Sequence, residues 1–229
     1  MFQPEYTGTQ TPQTLPVAPQ ALAWDLHRRI YHNAFKRGVD IVLTLIALPP
    51  VLLVIALLAV AIRRDGGPVF YAQERIGKNG RTFRMYKLRS MAPDADRMLV
   101  ELLATSAAAR DEWEERQKLT DDPRITPLGR LIRKTSLDEL PQFLNVLKGD
   151  MSLVGPRPML TAQKELYPGR EYYALRPGIT GLWQTSPRNE TSFRERADWD
   201  GAYFRSLSLV TDIKLLLRTV RVVLSGTGV

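Results

Sequence analysis

The 229-residue chain contains no cysteine and only two histidines, His27 and His32. Without cysteine there are no disulfides, no thiolate nucleophile and no cysteine metal site, and the composition fits a reducing compartment. Both histidines precede the most apolar stretch, which argues against a Ser–His triad or a histidine-rich zinc site in the rest of the chain. Any covalent chemistry therefore has to use a carboxylate, a lysine, a hydroxyl or a tyrosine.

Charge is also missing from residues 41–62, a run of 22 residues. A straight helix of this length would reach about 33 Å, enough for the hydrocarbon core of a bilayer. Pro49 and Pro50 interrupt the run and remove two backbone donors, and Thr44 is placed to pair with the freed carbonyls. Basic residues flank both ends, so the positive-inside rule selects no orientation. Two topologies stay open: a re-entrant helix that bends at the prolines, and a kinked span.

The segments before this run differ in composition. Residues 1–20 are rich in Pro, Thr and Gln and carry no Lys or Arg, which predicts a disordered tail. Residues 21–39 mix aromatic and basic side chains, the pattern of an amphipathic helix at a membrane interface. The chain is therefore divided into a tail, an interfacial and membrane segment over 21–62, and a larger domain over 63–229.

Residues 63–91 carry eight basic and two acidic side chains around the turn signal Asn79-Gly80, which predicts a basic β-hairpin. Its charges are either solvated edge-strand residues or a docking surface for lipid headgroups or a diphosphate. Residues 94–119 predict an acidic amphipathic helix. Residues 207–223 predict a helix with a basic stripe, which is either a surface helix of the core or an interfacial helix.

The segment from Lys134 to Pro158 places two adjacent carboxylates, Asp138 and Glu139, at a predicted helix start. Helix N-termini attract phosphate, so a carboxylate there stays ionised where a phosphate would dock. Two structural alternatives exist. Ser136 and Glu139 match a capping box, or Asp138 is the N-cap and Pro141 falls in the first turn.

Two Pro/Gly-punctuated loops follow, GPRP and RPGITGLWQ, and they present Arg157 and Arg176. Such turns are ordinarily structural. An arginine held by prolines is, however, pre-organised for bidentate contact with phosphate. A short predicted helix over 127–134 brings further basic residues, among them Arg133, just ahead of the carboxylate pair.

From about residue 35 to the C-terminus the chain resembles the bacterial sugar transferases, or monotopic phosphoglycosyl transferases. The resemblance rests on the proline-broken apolar helix, YKLRSM, RKTSLDELPQ, NVLKGDMSLVGPRP and RPGITGLWQ. It implies a mostly helical α+β fold, with a re-entrant membrane helix, a small β-hairpin and interfacial amphipathic helices around a cytoplasmic catalytic domain over 63–229. The implied location is the cytoplasmic face of the bacterial inner membrane.

The resemblance also implies a reaction, the transfer of a hexose-1-phosphate from a UDP-sugar to polyprenyl (undecaprenyl) phosphate. Asp138 would attack the sugar-bearing phosphate and release UMP, Glu139 would assist, and Mg²⁺ would bridge Asp138 and the diphosphate. The family motifs match phosphate and substrate contacts at Lys87, Arg89, Arg133, Arg157, Arg176 and Gln184. Membrane lipids are implied partners, nucleic acid is not, and a homodimer stays open.

Two departures from the family pattern bear on topology and substrate. Many members have Ser-Pro at the membrane break where this chain has Pro49-Pro50, and the order Leu182-Trp183 resembles members that act on glucose or galactose. A different class of function is a non-enzymatic membrane-anchored scaffold whose basic hairpin binds anionic lipid or a partner protein. Magnesium dependence and the effect of substituting Asp138 distinguish the two.

Overall fold

The computed structural model describes residues 26–116, 119–186 and 195–224. The predicted tail over 1–20 and the first residues of the predicted interfacial helix lie outside this part of the chain. The α-helices of the described residues are α1 (Leu26–Ile30), α2 (Lys36–Ile62), α3 (Ala95–Thr105), α4 (Ala107–Arg116), α5 (Pro127–Lys134), α6 (Gln142–Lys148), α7 (Glu171–Ala174), α8 (Arg196–Ser206) and α9 (Leu209–Leu224). The strands are β1 (Phe70–Ile76), β2 (Thr82–Leu88), β3 (Ser152–Val154), β4 (Met159–Leu160) and β5 (Gly178–Thr180). The predicted mostly helical α+β architecture is confirmed.

The N-terminal apolar helix is longer than its charge-free run. A single π-helical stretch, Tyr31–Phe35, joins α1 to α2, and α2 continues through Pro49 and Pro50 without ending there. It is long and apolar enough to cross a membrane. The expected role of Thr44 is wrong, because its Oγ1 is buried and has no hydrogen-bond partner among the described residues.

The two ends of α2 pack on the larger domain while its middle is exposed. Near the N-terminal end Lys36, Asp40 and Thr44 are buried, and at the C-terminal end Ile62 packs with Leu88 and Ile132. Between them lies a band of exposed apolar side chains: Leu45, Ile46, Leu52, Leu53, Leu57 and Val60. A run of exposed large apolar side chains along one helix is typical of a surface that contacts lipid or another partner.

The predicted hairpin is confirmed. Strands β1 and β2 pair antiparallel from Phe70↔Leu88 to Ile76↔Thr82, and Asn79 in the connecting turn has a left-handed φ of 59°. Strand β4 joins the other edge of β1, which gives the strand order β2-β1-β4. Strands β3 and β5 form a second, parallel pair, and they adjoin in sequence the two loops that carry the predicted arginines.

The predicted acidic helix over 94–119 is two helices rather than one. Ser106 has extended backbone angles, and its Oγ accepts a hydrogen bond from the Ala109 N–H at 3.2 Å, so it ends α3 and caps α4. The sequence pattern missed this break because a serine inside an otherwise periodic stretch is not by itself a helix stop. The apolar side chains whose spacing predicted a buried stripe on this helix are only half-buried: Met98, Leu99, Leu102 and Leu103.

Helix α9 is amphipathic in the sense expected of an interfacial helix. It buries Asp212 and Leu215 against the domain, where they meet the main core around Met151, Val154 and Tyr203. Its outer side exposes apolar residues near basic ones: Leu209, Val210, Ile213, Leu217 and Val220 beside Lys214, Arg218 and Arg221. Exposed leucines and valines next to lysine and arginine favour the interfacial interpretation over a plain surface helix.

Candidate active site

The two adjacent carboxylates lie on a short 3₁₀ turn, Leu137–Glu139, between α5 and α6. Strand β2 brings Lys87 alongside, with its Nζ 3.2 Å from Asp138 Oδ2 and 3.0 Å from Glu139 Oε1. The Asp138 side chain is 10% exposed and that of Glu139 is 21% exposed. One ammonium group shared by two adjacent, mostly buried carboxylates is an electrostatic arrangement suited to phosphate chemistry.

Both capping interpretations are wrong. Ser136 makes no side-chain cap, its φ of 55° is left-handed, and its N–H donates to the Arg133 carbonyl at 3.0 Å. Helix α6 begins only at Gln142, after Pro141, so Asp138 precedes the helix by a full turn. Neither carboxylate therefore caps a helix, and both form ion pairs with Lys87 on the neighbouring strand β2.

Arg133 at the end of α5 adds positive charge beside this pair. Its Nε donates to Ser90 Oγ at 2.8 Å. Burial lowers the pKa of Arg133, and the negative charge of Asp138 works in the opposite direction. The structure thus brings three of the predicted groups, Lys87, Arg133 and the carboxylate pair, within electrostatic reach of one another.

Close backbone packing of glycines fixes the two Pro/Gly loops against each other. The Gly155 N–H donates to the Thr180 carbonyl at 2.8 Å, and the Gly178 N–H donates to the Pro156 carbonyl at 2.8 Å. A Cβ on Gly155 would lie 2.3 Å from the Arg176 carbonyl oxygen, and one on Gly178 would lie 2.1 Å from the Gly155 nitrogen. Only glycine permits this approach, which sets the positions of Arg157 and Gln184.

Trp183 follows on the second loop and lies between two arginines. The Arg157 guanidinium is 5.8 Å from its ring centre and that of Arg196 is 5.7 Å away. Contacts of this kind hold the Arg157 side chain by cation–π attraction. The arginine of the GPRP loop is therefore positioned by an aromatic ring in addition to its flanking prolines.

These elements border an open cavity whose empty space, open solvent included, is about 270 Å³. Of the predicted residues, Lys87, Glu139, Arg157 and Gln184 line it. Asp138 is not part of the lining but accepts a hydrogen bond from Lys87, which is. Sequence reasoning missed two polar residues of this lining, Arg75 and Gln142.

The sequence contained a usable signal for Arg75 and little that would identify Gln142. Counting back from the Asn79-Gly80 turn gives the pairs Arg75↔Phe83 and Tyr71↔Lys87, so alternate residues of β1, including Arg75, share a hairpin face with Lys87. Gln142 stood within the motif RKTSLDELPQ with no pattern to set it apart from a surface residue. It is 2% exposed.

Two predicted phosphate contacts lie elsewhere in the structure. Arg89 is bonded to Asp65 and to the carbonyls of Pro68, Met91 and Ile62, so it fastens the segment after α2. Arg176 donates from Nε to the Gly149 carbonyl at 2.9 Å, at the end of α6. Neither lines the cavity, and their contact with phosphate stays a prediction of the family resemblance.

The donor set agrees with what Mg²⁺ accepts. This ion binds through one or two carboxylates together with substrate phosphates and water, and Asp138 with Glu139 offers such a pair. Within residues 26–116, 119–186 and 195–224 no group of three or more acidic or histidine side chains forms a dedicated metal cage. The pair therefore fits an ion that arrives with a diphosphate better than a resident structural metal.

The described part of the chain thus combines an exposed apolar helix of membrane length with a cationic cavity beside paired carboxylates. Residues 31–226 match the family model described as "Bacterial sugar transferase". The chain belongs to the bacterial sugar transferase family.

Relatives of known name agree with this assignment. The chain is 50% identical over 205 residues to an "Uncharacterized sugar transferase" of Haemophilus influenzae, covering 87% of this chain and 43% of that protein. It is 47% identical to the "Undecaprenyl-phosphate galactose phosphotransferase" of Salmonella typhimurium, covering 84% and 41%. It is 44% identical to the "Exopolysaccharide production protein ExoY" of Sinorhizobium fredii, covering 84% and 87%. The chain thus spans less than half the length of the first two and most of the third.

Proposed function

We propose that this protein transfers a hexose-1-phosphate from a UDP-sugar to polyprenyl phosphate through a covalent intermediate on Asp138. The observation that carries the proposal is the Asp138–Lys87–Glu139 cluster beside a cavity lined by Arg157. Phosphoryl transfer needs a positioned nucleophile and charge stabilisation more than elaborate acid–base machinery. The chain, which has no cysteine and no histidine near this cluster, offers that combination.

In the first step a carboxylate oxygen of Asp138 attacks the phosphorus that bears the sugar. The bond from that phosphorus to the bridging oxygen of the diphosphate breaks, and UMP leaves with both electrons of the bond. Lys87 lies within hydrogen-bond distance of the nucleophile, and its ammonium balances negative charge on the phosphoryl oxygens. Arg157 in the cavity lining and Arg133 near Asp138 add further positive charge to the site.

In the second step an oxygen of polyprenyl phosphate attacks the same phosphorus. The acyl-phosphate bond breaks, the Asp138 carboxylate is regenerated, and the lipid carries the sugar on a new diphosphate. Glu139 lines the cavity and accepts the proton if the lipid phosphate enters as its monoanion. Mg²⁺ held by Asp138 and Glu139 would supply neutralisation of the diphosphate charge.

The position of α2 supports a re-entrant helix over a span. Near its N-terminal end Lys36 pairs with Asp212 at 2.6 Å, and at its C-terminal end the Ile62 carbonyl accepts a hydrogen bond from Arg89 at 3.3 Å. Both partners belong to the same domain. A helix that crossed the bilayer would place its ends on opposite sides of a hydrocarbon core about 30 Å thick, so one of these contacts would be lost. The active domain then lies on one face, which we assign to the cytoplasmic side of the inner membrane.

Single cysteines test this topology, because the natural chain has none. Asn33→Cys and Arg64→Cys place exposed thiols at either end of the membrane helix, and Lys164→Cys marks the domain. We expect all three to resist a membrane-impermeant maleimide in intact spheroplasts and to react in inverted vesicles. Labelling of one helix end in each preparation would establish a span and refute the re-entrant proposal.

The donor nucleotide sugar is proposed to be a UDP-hexose. The names of two relatives, "UDP-galactose-lipid carrier transferase" of Erwinia amylovora and "Undecaprenyl-phosphate galactose phosphotransferase" of Salmonella typhimurium, support galactose as one candidate. Purified protein in detergent with undecaprenyl phosphate, Mg²⁺ and UDP-glucose or UDP-galactose should release UMP and form lipid-linked sugar.

Substitution of the nucleophile tests the enzymatic proposal against a scaffold. Asp138→Asn preserves the shape of the side chain, and we expect it to abolish UMP release while the protein stays folded in membranes. Chelation with EDTA should stop the wild-type reaction, and added Mg²⁺ should restore it. Full turnover by Asp138→Asn would contradict the mechanism. Wild-type protein that binds lipid but releases no UMP from any donor would favour the scaffold.

A further inference from the structure

Two polar atoms at the cavity are buried without a partner. Arg75 Nε and Gln184 Oε1 have no hydrogen bond within the described part of the chain, and both residues line the cavity. Buried polar atoms in folded proteins nearly always have a partner, so each such exception calls for a specific explanation. One donor and one acceptor at the same cavity suggest a ligand that supplies both kinds of group.

The remainder of the Arg75 side chain is already fixed. Its Nη1 donates to the Pro158 carbonyl at 3.3 Å and its Nη2 donates to Gln73 Oε1 at 2.6 Å. Burial, with the nearby charge of Arg157, lowers the pKa of Arg75 to about 10, so the group is still a cation and a full donor at neutral pH. Two of the guanidinium nitrogens therefore fix its position, and its Nε–H has no hydrogen-bond acceptor among the described residues.

Other residues of the cavity lining have complementary chemistry. Gln184 is 6% exposed and Gln142 is 2% exposed, and Ile179 adds an apolar side chain to the same lining. Phosphate oxygens at neutral pH mainly accept hydrogen bonds, so a phosphate satisfies Arg75 but not the acceptor on Gln184. A hydroxyl both donates and accepts, and it satisfies the two together.

The residues that line the cavity indicate which part of the donor enters it. Glu139 and Lys87 line the same cavity, which places the attacked phosphorus at its edge. In a UDP-sugar the sugar is bonded through oxygen to that phosphorus, whereas the uridine is one phosphate further away.

We infer that Arg75 and Gln184 form a subsite for hydroxyl groups of the transferred sugar, with Gln142 beside them. Arg75 Nε donates to a sugar oxygen, and the Gln184 carboxamide accepts from a sugar hydroxyl. This inference rests on the proposed function, since it assigns a part of the donor substrate to a part of the same site. Arg75 and Gln184 are accordingly determinants of sugar specificity, and Lys87 and Arg157 serve the phosphates.

The test separates contacts with the sugar from contacts with the nucleotide. Full-length Arg75→Lys keeps the charge but loses Nε and the planar fork, and Gln184→Met keeps the length but loses the amide. Arg97→Lys makes the same change on the exposed surface of α3 and serves as the control. UMP release is measured with UDP-glucose and UDP-galactose in nanodiscs containing undecaprenyl phosphate, and UMP is measured separately as a competitive inhibitor.

We expect the KM for the preferred donor to rise by about tenfold in each variant, the factor that corresponds to one hydrogen bond to a charged or buried polar group. The inhibition constant of UMP, which lacks the sugar, should stay within twofold of wild type in both. Donors lacking one hydroxyl identify the partner: a deoxy-sugar that weakens binding to wild type should cause no further loss in Gln184→Met.

Other outcomes overturn the inference in distinguishable ways. A parallel rise in the UMP inhibition constant would place Arg75 or Gln184 at the nucleotide or phosphate, and an unchanged KM would remove them from substrate contact. In both cases wild type still turns over, so the proposed function stands. If wild type releases no UMP from any donor, both the proposed function and the sugar subsite are refuted. Should Arg75→Lys unfold, as judged by its Tm, Gln184→Met decides alone.

Discussion

Removing the charge of Lys36 should loosen the membrane helix from its domain. Lys36 Nζ lies 2.6 Å from Asp212 Oδ2, and the hydroxyls of Tyr31 and Tyr203 donate to the same carboxylate, each at 2.7 Å. Lys36 is 6% exposed and Asp212 is 4% exposed. The cluster joins α2, the π-helical stretch, α8 and α9 at one buried point.

The magnitude follows from burial. Removing one partner of a buried ion pair leaves the other charge uncompensated and costs about 3–5 kcal/mol, whereas removing both charges costs much less. Lys36→Met should therefore destabilise by that amount, and Lys36→Met with Asp212→Asn should recover about 2 kcal/mol of the summed single losses. At 2–4 °C per kcal/mol for a chain of this size, the single substitution should lower Tm by about 6–20 °C.

Thermal unfolding in detergent measures these values for wild type, both single variants and the double variant. Lys164→Met makes the same chemical change at an exposed lysine and should leave Tm nearly unchanged. Additive losses in the double variant, or a Lys36→Met shift no larger than that of the control, would refute the inference that this ion pair fastens the helix.

Three other substitutions test further parts of the account. Burial raises the pKa of Asp200 to about 6, so its folded form holds a proton between about pH 4 and 6 that the unfolded chain releases. Stability should therefore fall by up to about 3 kcal/mol as pH rises through this window, and in Asp200→Asn this fall should vanish from denaturant titrations. Gly155→Ala should lower Tm, because its Cβ would meet backbone atoms, whereas Gly38→Ala, with nothing within 4 Å, should raise Tm slightly; equal shifts would contradict the glycine packing. Arg89→Lys should lower Tm without changing the KM for the UDP-sugar, since its bonds go to Asp65 and carbonyls; a raised KM with normal Tm would restore its predicted contact with phosphate.

Local patterns predicted those features that depend on local chemistry. The Asn79-Gly80 turn set the hairpin, because few residues adopt the left-handed angles that such a turn requires. The absence of charge over 41–62 predicted the membrane-length helix, because burial in lipid tolerates no unpaired charge. The gathering of Lys87, Glu139, Arg157 and Gln184 followed only from the family motifs, since these residues come from elements far apart in the chain.

Tertiary packing decided the features that sequence reasoning missed. Ser136 and Glu139 matched a capping box, but Ser136 adopts a left-handed turn and both carboxylates pair with a lysine from another strand. Arg89 and Arg176 looked like free phosphate ligands, although their guanidinium groups pair with backbone carbonyls that only the folded chain supplies. Arg75 stayed unnoticed because its role depends on which hairpin face covers the cavity.

The most direct test of the central claim is the mass of the peptide that contains Asp138. Wild-type protein is mixed with Mg²⁺ and UDP-galactose or UDP-glucose without the lipid acceptor, quenched in acid, digested and examined by mass spectrometry. We predict a hexose-phosphate adduct on Asp138 that disappears when polyprenyl phosphate is added before the quench. An adduct on another side chain, or lipid-linked sugar formed with no adduct at any time point, would contradict the account.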